Sequence, residues 1–323
     1  VLGSRGLGDV YKRQVYIHES CKITTPFDML VNQIVERSRG DQRHGSCGVG
    51  INETVVRYRN YGIGHTITPK TIRSLDLKYL LTYQRDIYLP KRLKELGVSN
   101  ISLDDLGVIL SENIIDNWIA QANEMMDYCH VVNDDIVHVY DGLVFEGAQG
   151  LLLDEMYEEF APYLTTSRTG IPGVNRVLYS AGLYDCRDIE MCFVSRTYFT
   201  RHGAGFFPTE CGAKDLFGED KQDATNVWNE FQGSFRYGYF EEDRFHNVCD
   251  QEFKRAKRMY PYTKLSFAFT HADETDGMVL ESSGHKEIKD VISPLSPDCF
   301  YTSIGNTRQH VIETPLKTHR KSQ

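Results

Sequence analysis

The sequence lacks any long apolar run. No stretch approaches the roughly 18 consecutive apolar residues that a membrane-spanning helix needs. Hydrophobic residues make up 41% of the chain and charged residues 25%, which is an ordinary globular mixture. We therefore expect a soluble protein that binds no membrane. The N-terminus also shows no signal-peptide core, which favours the cytoplasm.

A strongly basic surface is missing as well. The formal net charge is −9, with 45 Asp and Glu residues against 36 Lys and Arg residues. A general nucleic-acid surface needs an excess of basic residues, so this balance argues against nucleic acid as a partner. Any phosphate group that the protein binds must be held by a local site.

Paired cysteines are absent too. The eight cysteines form no C-x-x-C pair, and a chain of 323 residues can bury a sufficient core without disulfides. Reduced thiols in a cytoplasmic protein are the expectation.

The two ends of the chain differ from the rest. Residues 1–14 show no apolar periodicity and resemble translated adapter sequence, so we interpret them as a non-native leader. No Gly-Lys-Ser/Thr follows the glycines there, which argues against a phosphate loop. Residues 317–323 are predicted to be a flexible tail. The remaining residues, 15–316, are predicted to form one domain.

Local patterns predict both helices and strands. A capping threonine, a first-turn proline and an early acid predict a helix over residues 26–39, and a Ser-x-x-Asp capping pattern opens a second over residues 102–128. Apolar positions in the second helix are expected in the core: Leu106, Ile109, Leu110, Ile114, Trp118 and Met125. Buried strands are predicted at residues 136–145, 189–194 and 265–269.

Strands separated by long helical segments favour an α/β fold with a mainly parallel central sheet flanked by helices. In such sheets ligands bind at the carboxyl ends of the strands. Several polar motifs lie there.

The most specific motif spans residues 145–154 and reads FEGAQGLLLD. It resembles the nucleotide-binding signature of the adenylosuccinate synthetase family, in which the glutamine contacts the bound purine nucleotide. By this resemblance Gln149 is a substrate-binding residue. From the residues alone, the same string indicates only the edge of a pocket.

Two further segments resemble phosphate-binding parts of the family. Residues 162–170 read PYLTTSRTG, where Thr165 takes the place of a phosphate-contacting threonine, although such clusters also form turns and helix caps. Residues 44–51 read HGSCGVGI and resemble the Gly-Thr-Thr-Gly loop. The resemblance assigns Ser46 and Cys47 to the substrate. It also assigns Arg57 to the nucleotide phosphate of a neighbouring subunit, which implies a homodimer.

Residues 200–210 read TRHGAGFFPTE and resemble the glycine turn that precedes Pro-Thr-Glu in the family. Gly203 is thereby assigned to the substrate. Residues 231–241 are the nearest counterpart of the loop that binds aspartate, and Arg236 alone remains of its arginines.

Two segments near the C-terminus resemble the base-binding part of the family. Residues 270–273 read THAD, and a carboxylate at this place can accept from both N1–H and the 2-amino group of guanine. A helix-capping role for the acid is the alternative. Residues 303–308 read SIGNTR and resemble the family's Ser-x-Gly-Pro-x-Arg. The resemblance assigns four residues to the co-substrate GTP: Thr270, Asp273, Ser303 and Gly305.

The resemblance implies a P-loop-NTPase-like ligase fold without its N-terminal strand and phosphate loop. The implied reaction joins IMP to L-aspartate, with conversion of GTP to GDP and phosphate and with Mg²⁺, on the way to AMP. Its catalytic Asp and His belong to motifs that this sequence does not show, so no catalytic residue and no metal ligand is assigned. The chain alone is expected to be inactive.

Departures from the family pattern leave alternatives open. Thr54, Arg236 and His271 stand where the family pattern differs. They are compatible with a phage-type relative that joins aspartate to dGMP with ATP or dATP. A nucleotide-binding fragment without catalysis is the other alternative.

Overall fold

The computed structural model describes residues 14–61, 66–186, 188–221, 223 and 225–316, and every structural statement below refers to them. Most of the predicted leader and all of the predicted tail lie outside these ranges. The chain divides into two compact units. Unit 1 comprises Val1–Arg39 and Gly48–Leu143, and unit 2 comprises Gly40–Cys47 and Val144–Gln323. A division by compactness does not define a domain boundary, so the single domain over residues 15–316 stays a prediction.

Unit 1 is mainly helical. Its two short strands, β1 and β2, pair in parallel. A π-helical turn, Gln84–Tyr88, precedes Pro90, whose missing N–H cannot continue regular helical bonding. The elements are β1 (Val15–His18), α1 (Pro26–Arg39), α2 (Ile51–Tyr61), α3 (Leu77–Tyr83), α4 (Leu89–Glu95), α5 (Leu103–Ile109), α6 (Glu112–Tyr128) and β2 (Cys129–Val132).

The start of α1 confirms the helix predicted over residues 26–39. The Asp28 carboxylate accepts a hydrogen bond of 2.9 Å from the Thr25 backbone N–H. This contact satisfies a donor that the first helical turn would leave unpaired. Phe27 and Val31 of α1 are fully buried and belong to the main hydrophobic cluster of unit 1.

The long helix predicted from residue 102 is wrong in one respect, because two helices replace it. Ser102 caps α5 through a 3.0 Å hydrogen bond from the Asp105 N–H. The chain then leaves the helical conformation at Ser111, and α6 begins at Glu112. Three of the predicted core residues are exposed instead: Leu106, Leu110 and Met125. Ile115, Ala122 and Met126 are buried in α6.

Unit 2 contains a four-stranded sheet in the order β11-β10-β7-β3, in which β10, β7 and β3 are parallel. A three-stranded antiparallel sheet, β4-β6-β5, and a hairpin, β8-β9, accompany it. The elements are α7 (Ile171–Ser180), β3 (Glu190–Arg196), β4 (Phe199–His202), β5 (Glu210–Cys211), α8 (Ala213–Phe217), β6 (Phe235–Gly238), α9 (Glu242–Met259), β7 (Lys264–Thr270), β8 (Met278–Glu281), β9 (Gly284–Glu287), α10 (Ile288–Ile292), β10 (Cys299–Ser303) and β11 (Val311–Pro315).

The four-stranded sheet buries its aromatic face against helices. Phe267 and Phe269 of β7 are almost fully buried and pack in one cluster with Phe245 of α9 and Val291 of α10. The strands predicted at residues 189–194 and 265–269 are thereby confirmed as β3 and β7. The α/β class with a parallel-rich sheet flanked by helices is also confirmed.

The strand predicted at residues 136–145 is wrong. Residues Asp134–Val139 form a 3₁₀ helix, and the residues after it are irregular and exposed. Val144 has 96% of its surface exposed. A strand needs a hydrogen-bonded neighbour, and among the described residues this segment pairs with none.

No helix within the described ranges is both long enough and apolar enough to cross a membrane.

Candidate nucleotide-binding site

The glycine turn after β4 makes a close backbone contact in unit 2. Gly203 has φ +91° and Gly45 has φ +70°, a region that favours glycine. A Cβ atom on Gly203 would lie 2.4 Å from the Gly45 carbonyl oxygen, and one on Gly45 would lie 2.3 Å from the Ala204 nitrogen. Only glycine fits at either position. Ser46 and Cys47 directly follow this contact, so the structure places the two predicted substrate residues next to Gly203.

Arg236 holds the same turn from β6. Its guanidinium donates to the Gly203 and Gly205 carbonyl oxygens, both at 3.0 Å. It also binds both oxygens of the Glu210 carboxylate, with Nε 2.7 Å from Oε1. Hydrogen bonding to Arg236 holds the pKa of Glu210 below its ordinary value. Most donors of Arg236 are therefore engaged within the protein, and its predicted contact with aspartate stays a prediction.

Arg201 connects the glycine turn with another predicted segment. Its guanidinium donates to the Ala204 carbonyl at 2.8 and 2.9 Å and to the Tyr163 carbonyl at 3.3 Å. Among the described residues no carboxylate forms an ion pair with Arg201. Burial and the nearby Arg236 charge lower its pKa. The region consequently carries positive charge that the protein does not neutralise.

These residues surround a cavity of about 330 Å³ in unit 2. Arg43 and Arg236 supply cations to its lining, and Arg43 donates to the Glu230 carbonyl at 2.7 Å. Sequence reasoning missed Arg43, because a single arginine before a glycine loop gives no specific signal. The other lining residues are Gly45, Gly203, Ala204, Gly205, Gln232, Gly233 and Ser234. Exposed backbone and guanidinium groups suit an anion.

The segments that carry Gln149 and Thr165 lie together. Thr165 donates its backbone N–H to the Leu153 carbonyl at 2.8 Å. Asp154 is buried and accepts from the Thr169 N–H at 2.6 Å, which fixes the turn that follows Thr165. The exposed Gln149 therefore sits on a segment anchored to the predicted phosphate-binding turn. Sequence reasoning had assigned no role to Asp154.

The residues predicted to bind the base of GTP lie at the carboxyl ends of β7 and β10. These strands are parallel neighbours, so the turns that follow them emerge at one edge of the sheet. The Ser303 hydroxyl donates to the Gly305 carbonyl at 3.0 Å, and a Cβ on Gly305 would lie 2.2 Å from the His310 ring. Thr270 ends β7, and its hydroxyl is 3.4 Å from the Ser195 carbonyl.

Asp273 differs from its neighbours in this turn because its side chain is exposed. Within the described ranges no group donates a hydrogen bond to its carboxylate. The structure thus arranges the predicted residues of unit 2 in two groups. One surrounds the cavity and the turn of Thr165, and the other lies at the ends of β7 and β10.

Arg57 is placed differently from its predicted role. It lies in α2 of unit 1, has no exposed surface, and donates to both oxygens of the Asp28 carboxylate at 2.8 Å. A third contact reaches the Ile23 carbonyl at 3.1 Å. A guanidinium enclosed in this way cannot contact a nucleotide on another subunit, so the structure corrects the assignment of Arg57 to substrate binding.

The resemblance implies Mg²⁺ but assigns the ion no ligand in this chain. In the described part of the chain no group of three or more His, Cys, Asp or Glu side chains could hold a metal ion by itself. Mg²⁺ in nucleotide sites is usually held by one or two carboxylates together with phosphate oxygens, so it does not require such a group.

The comparisons with known proteins agree with these motifs. The adenylosuccinate synthetase family model matches residues 2–232, which is more than half of the chain. The chain belongs to this family. It is 30% identical over 210 residues to the adenylosuccinate synthetase of Synechocystis sp., which covers 62% of this chain and 43% of that relative. It is 28% identical over 203 residues to that of Tolumonas auensis, covering 61% and 43%.

The chain spans under half the length of these curated relatives. The family match ends at residue 232, before β7 and β10. Gly203, Gln149 and Thr165 lie within the matched range, whereas Arg236 and the four residues predicted to bind GTP lie beyond it. Their assignment therefore depends on the local motifs and on the geometry described above.

Proposed function

We propose that this chain provides the nucleotide-binding part of a purine-nucleotide ligase in AMP biosynthesis. The proposed reaction joins IMP to L-aspartate and converts GTP to GDP and phosphate, with Mg²⁺, in a cytoplasmic homodimer. Membership of the adenylosuccinate synthetase family supports the reaction class. The single observation that carries the proposal is the cationic, glycine-walled cavity formed by motifs of that family.

The cavity is proposed to bind the 5′-phosphate of the substrate nucleotide. Arg43 and Arg236 line it, and Arg201 adds a charge that no carboxylate neutralises among the described residues. Gly45 and Gly203 let their two turns pack backbone against backbone, and this contact brings both turns to the lining of the cavity. This local arrangement explains how a chain with net charge −9 can hold a phosphate.

The carboxyl ends of β7 and β10 are proposed to bind the base of GTP. Asp273 offers an exposed carboxylate, which can accept from N1–H and from the 2-amino group of guanine. Adenine offers no such pair of donors, so this carboxylate would favour GTP over ATP. Ser303 and Gly305 form the adjacent turn.

The described residues are proposed to bind and orient substrates. Gln149 and Thr165 would contact the nucleotide from a segment that Asp154 holds in place. No described residue is assigned to proton transfer or to phosphoryl transfer. The resemblance gives those roles to an Asp and a His whose motifs this sequence does not show.

Calorimetric titration of the full chain tests the proposal. We expect IMP to bind. Inosine lacks the phosphate and should bind at least about tenfold more weakly, because one charge-assisted contact contributes about 1.5–3 kcal/mol. Arg43→Gln should weaken IMP binding about tenfold and leave inosine binding unchanged. Arg176→Gln is the matched control, because it removes an exposed arginine of α7 that does not line the cavity.

The same titration separates the alternatives. Binding of dGMP and ATP in preference to IMP and GTP would favour the phage-type reaction. Equal binding of IMP and inosine, or an equal effect of Arg43→Gln on both, would contradict the phosphate-binding role of the cavity.

A further inference from the structure

Glu274 follows Asp273 in the turn after β7, and its carboxylate is held from two sides. The Tyr198 hydroxyl donates to Oε2 at 2.5 Å, and the Lys221 ammonium lies 2.9 Å from Oε1. Tyr198 has only 1% of its surface exposed. Both oxygens of Glu274 are therefore fixed within the protein.

Tyr198 is itself fixed in position. Arg196, the last residue of β3, donates to the tyrosine hydroxyl at 2.9 Å and pairs with Asp223 at the same distance. The Tyr198 ring packs edge-on against Phe217, with ring centroids 5.0 Å apart. Because Tyr198 is fixed in position, its hydrogen bond restricts the Glu274 carboxylate more than a contact with a mobile surface side chain would.

The rest of the turn is also restrained. The Thr275 hydroxyl donates to that of Thr197 at 2.9 Å. Ala272 is fully buried and accepts at 2.8 Å from the Gly277 N–H. Asp273 is thus an exposed carboxylate on a turn that is held through Ala272, Glu274 and Thr275.

We propose that Glu274 is a positioning residue that, held by Tyr198 and Lys221, orients Asp273 so that both of its oxygens meet guanine. This inference rests on the proposed function, because it assumes that the edge formed by β7 and β10 binds a guanine nucleotide. In this inference the contacts of Glu274 with Tyr198 and Lys221 allow Asp273 to recognise the 2-amino group of guanine. Glu274 is not expected to touch the nucleotide.

The charge of Glu274 supports this assignment. Burial opposes its ionisation, but hydrogen bonds from Tyr198 and Lys221 outweigh burial and hold its pKa below the ordinary value. A carboxylate engaged in this way does not compete with Asp273 for the donors of the base. If the network is broken, Glu274 becomes free and the turn can move.

Two variants of the full chain test the inference, with GTP and ITP as probes. ITP lacks the 2-amino group, so the ratio of the two dissociation constants reports on the second hydrogen bond to Asp273. We expect the wild-type chain to bind GTP about tenfold more tightly than ITP. In Tyr198→Phe and in Glu274→Gln this preference should fall to about twofold or less, with ITP binding nearly unchanged. A merely structural loss would weaken both nucleotides equally.

Asp276→Asn is the matched control. It removes a carboxylate from the same turn at a position with φ +51°, which asparagine tolerates. The preference for GTP should persist in this variant, and its loss would overturn the inference in favour of a general charge effect. An unchanged preference in both Tyr198→Phe and Glu274→Gln would also overturn the inference but leave the proposed function intact. A wild-type chain that does not bind GTP would overturn the proposed function and the inference with it.

Discussion

Two arginines of unit 1 and two of unit 2 differ in the groups that accept their hydrogen bonds. In unit 1 the buried Arg57 is matched by Asp28, and Arg92 binds Glu53 with Nε 2.7 Å from Oε2. In unit 2 the contacts that hold Arg43 and Arg201 are made with backbone carbonyl oxygens. A carbonyl satisfies a donor but does not neutralise its charge.

This difference separates structural from binding arginines. The pairs of unit 1 are complete, so they can stabilise the helices but offer nothing to a ligand. In unit 2, Arg43 and Arg201 keep a positive charge that an incoming phosphate could neutralise, whereas Arg236 is already paired with Glu210. Sequence alone could not make this distinction, because it does not show whether a carboxylate or a backbone carbonyl will lie next to each guanidinium.

The largest expected effect is at the buried pair of unit 1. Asp28→Asn should lower the free energy of unfolding by about 3–5 kcal/mol, because the buried Arg57 guanidinium loses the negative charge that Asp28 provides. Urea denaturation followed by circular dichroism would measure it. Asp116→Asn removes the acid from the exposed pair with Lys78 and should leave the urea concentration at the midpoint of unfolding unchanged. Equal midpoints for the two variants would show that the pairing of Arg57 does not stabilise unit 1.

A smaller effect is expected at the glycine contact of unit 2. Gly203→Ala adds a methyl group 2.4 Å from the Gly45 carbonyl and at φ +91°, so the turn must move. We expect at least about a tenfold loss of IMP affinity, comparable to the loss of one charge-assisted contact. Gly97→Ala is the control, because Gly97 has φ +77° but open space around it. This variant should lose only about 1–2 kcal/mol of unfolding free energy, from backbone strain. Retained IMP affinity in Gly203→Ala would argue that the cavity is not the phosphate site.

Local sequence signals predicted the elements that depend on local interactions. The cap at Thr25 and Asp28 defines the start of α1, and the strand predicted at residues 265–269 coincides with the buried part of β7. The break at Ser111 could not be predicted, because a serine is also acceptable inside a helix. The strand prediction at residues 136–145 was wrong for another reason. An apolar run does not show whether a neighbouring strand will pair with it.

The candidate site shows the same limit. The two glycine motifs contain Gly45 and Gly203, whose close backbone contact only glycine permits. The burial of Arg57 and the network behind Asp273 depend on residues distant in sequence, such as Tyr198 and Lys221. Such long-range pairing is a property of the fold and has no local pattern.

The smallest expected effect concerns the pairing of Glu210 with Arg236. Because Arg236 lowers the pKa of Glu210, the pair contributes stability at pH values above the ordinary glutamate pKa of 4.5 and loses it as the pH falls through the lowered value. Glu210 is 44% exposed, so solvent screening should limit the contribution to about 1 kcal/mol or less. Urea denaturation between about pH 6 and about pH 3 measures how the free energy of unfolding depends on pH. As the pH falls, this free energy should decrease slightly more steeply for the wild type than for Glu210→Gln. Glu219→Gln removes an exposed acid from the same unit and should keep the wild-type slope. If Glu210→Gln kept that slope as well, Arg236 would hold the glycine turn through its carbonyl contacts alone.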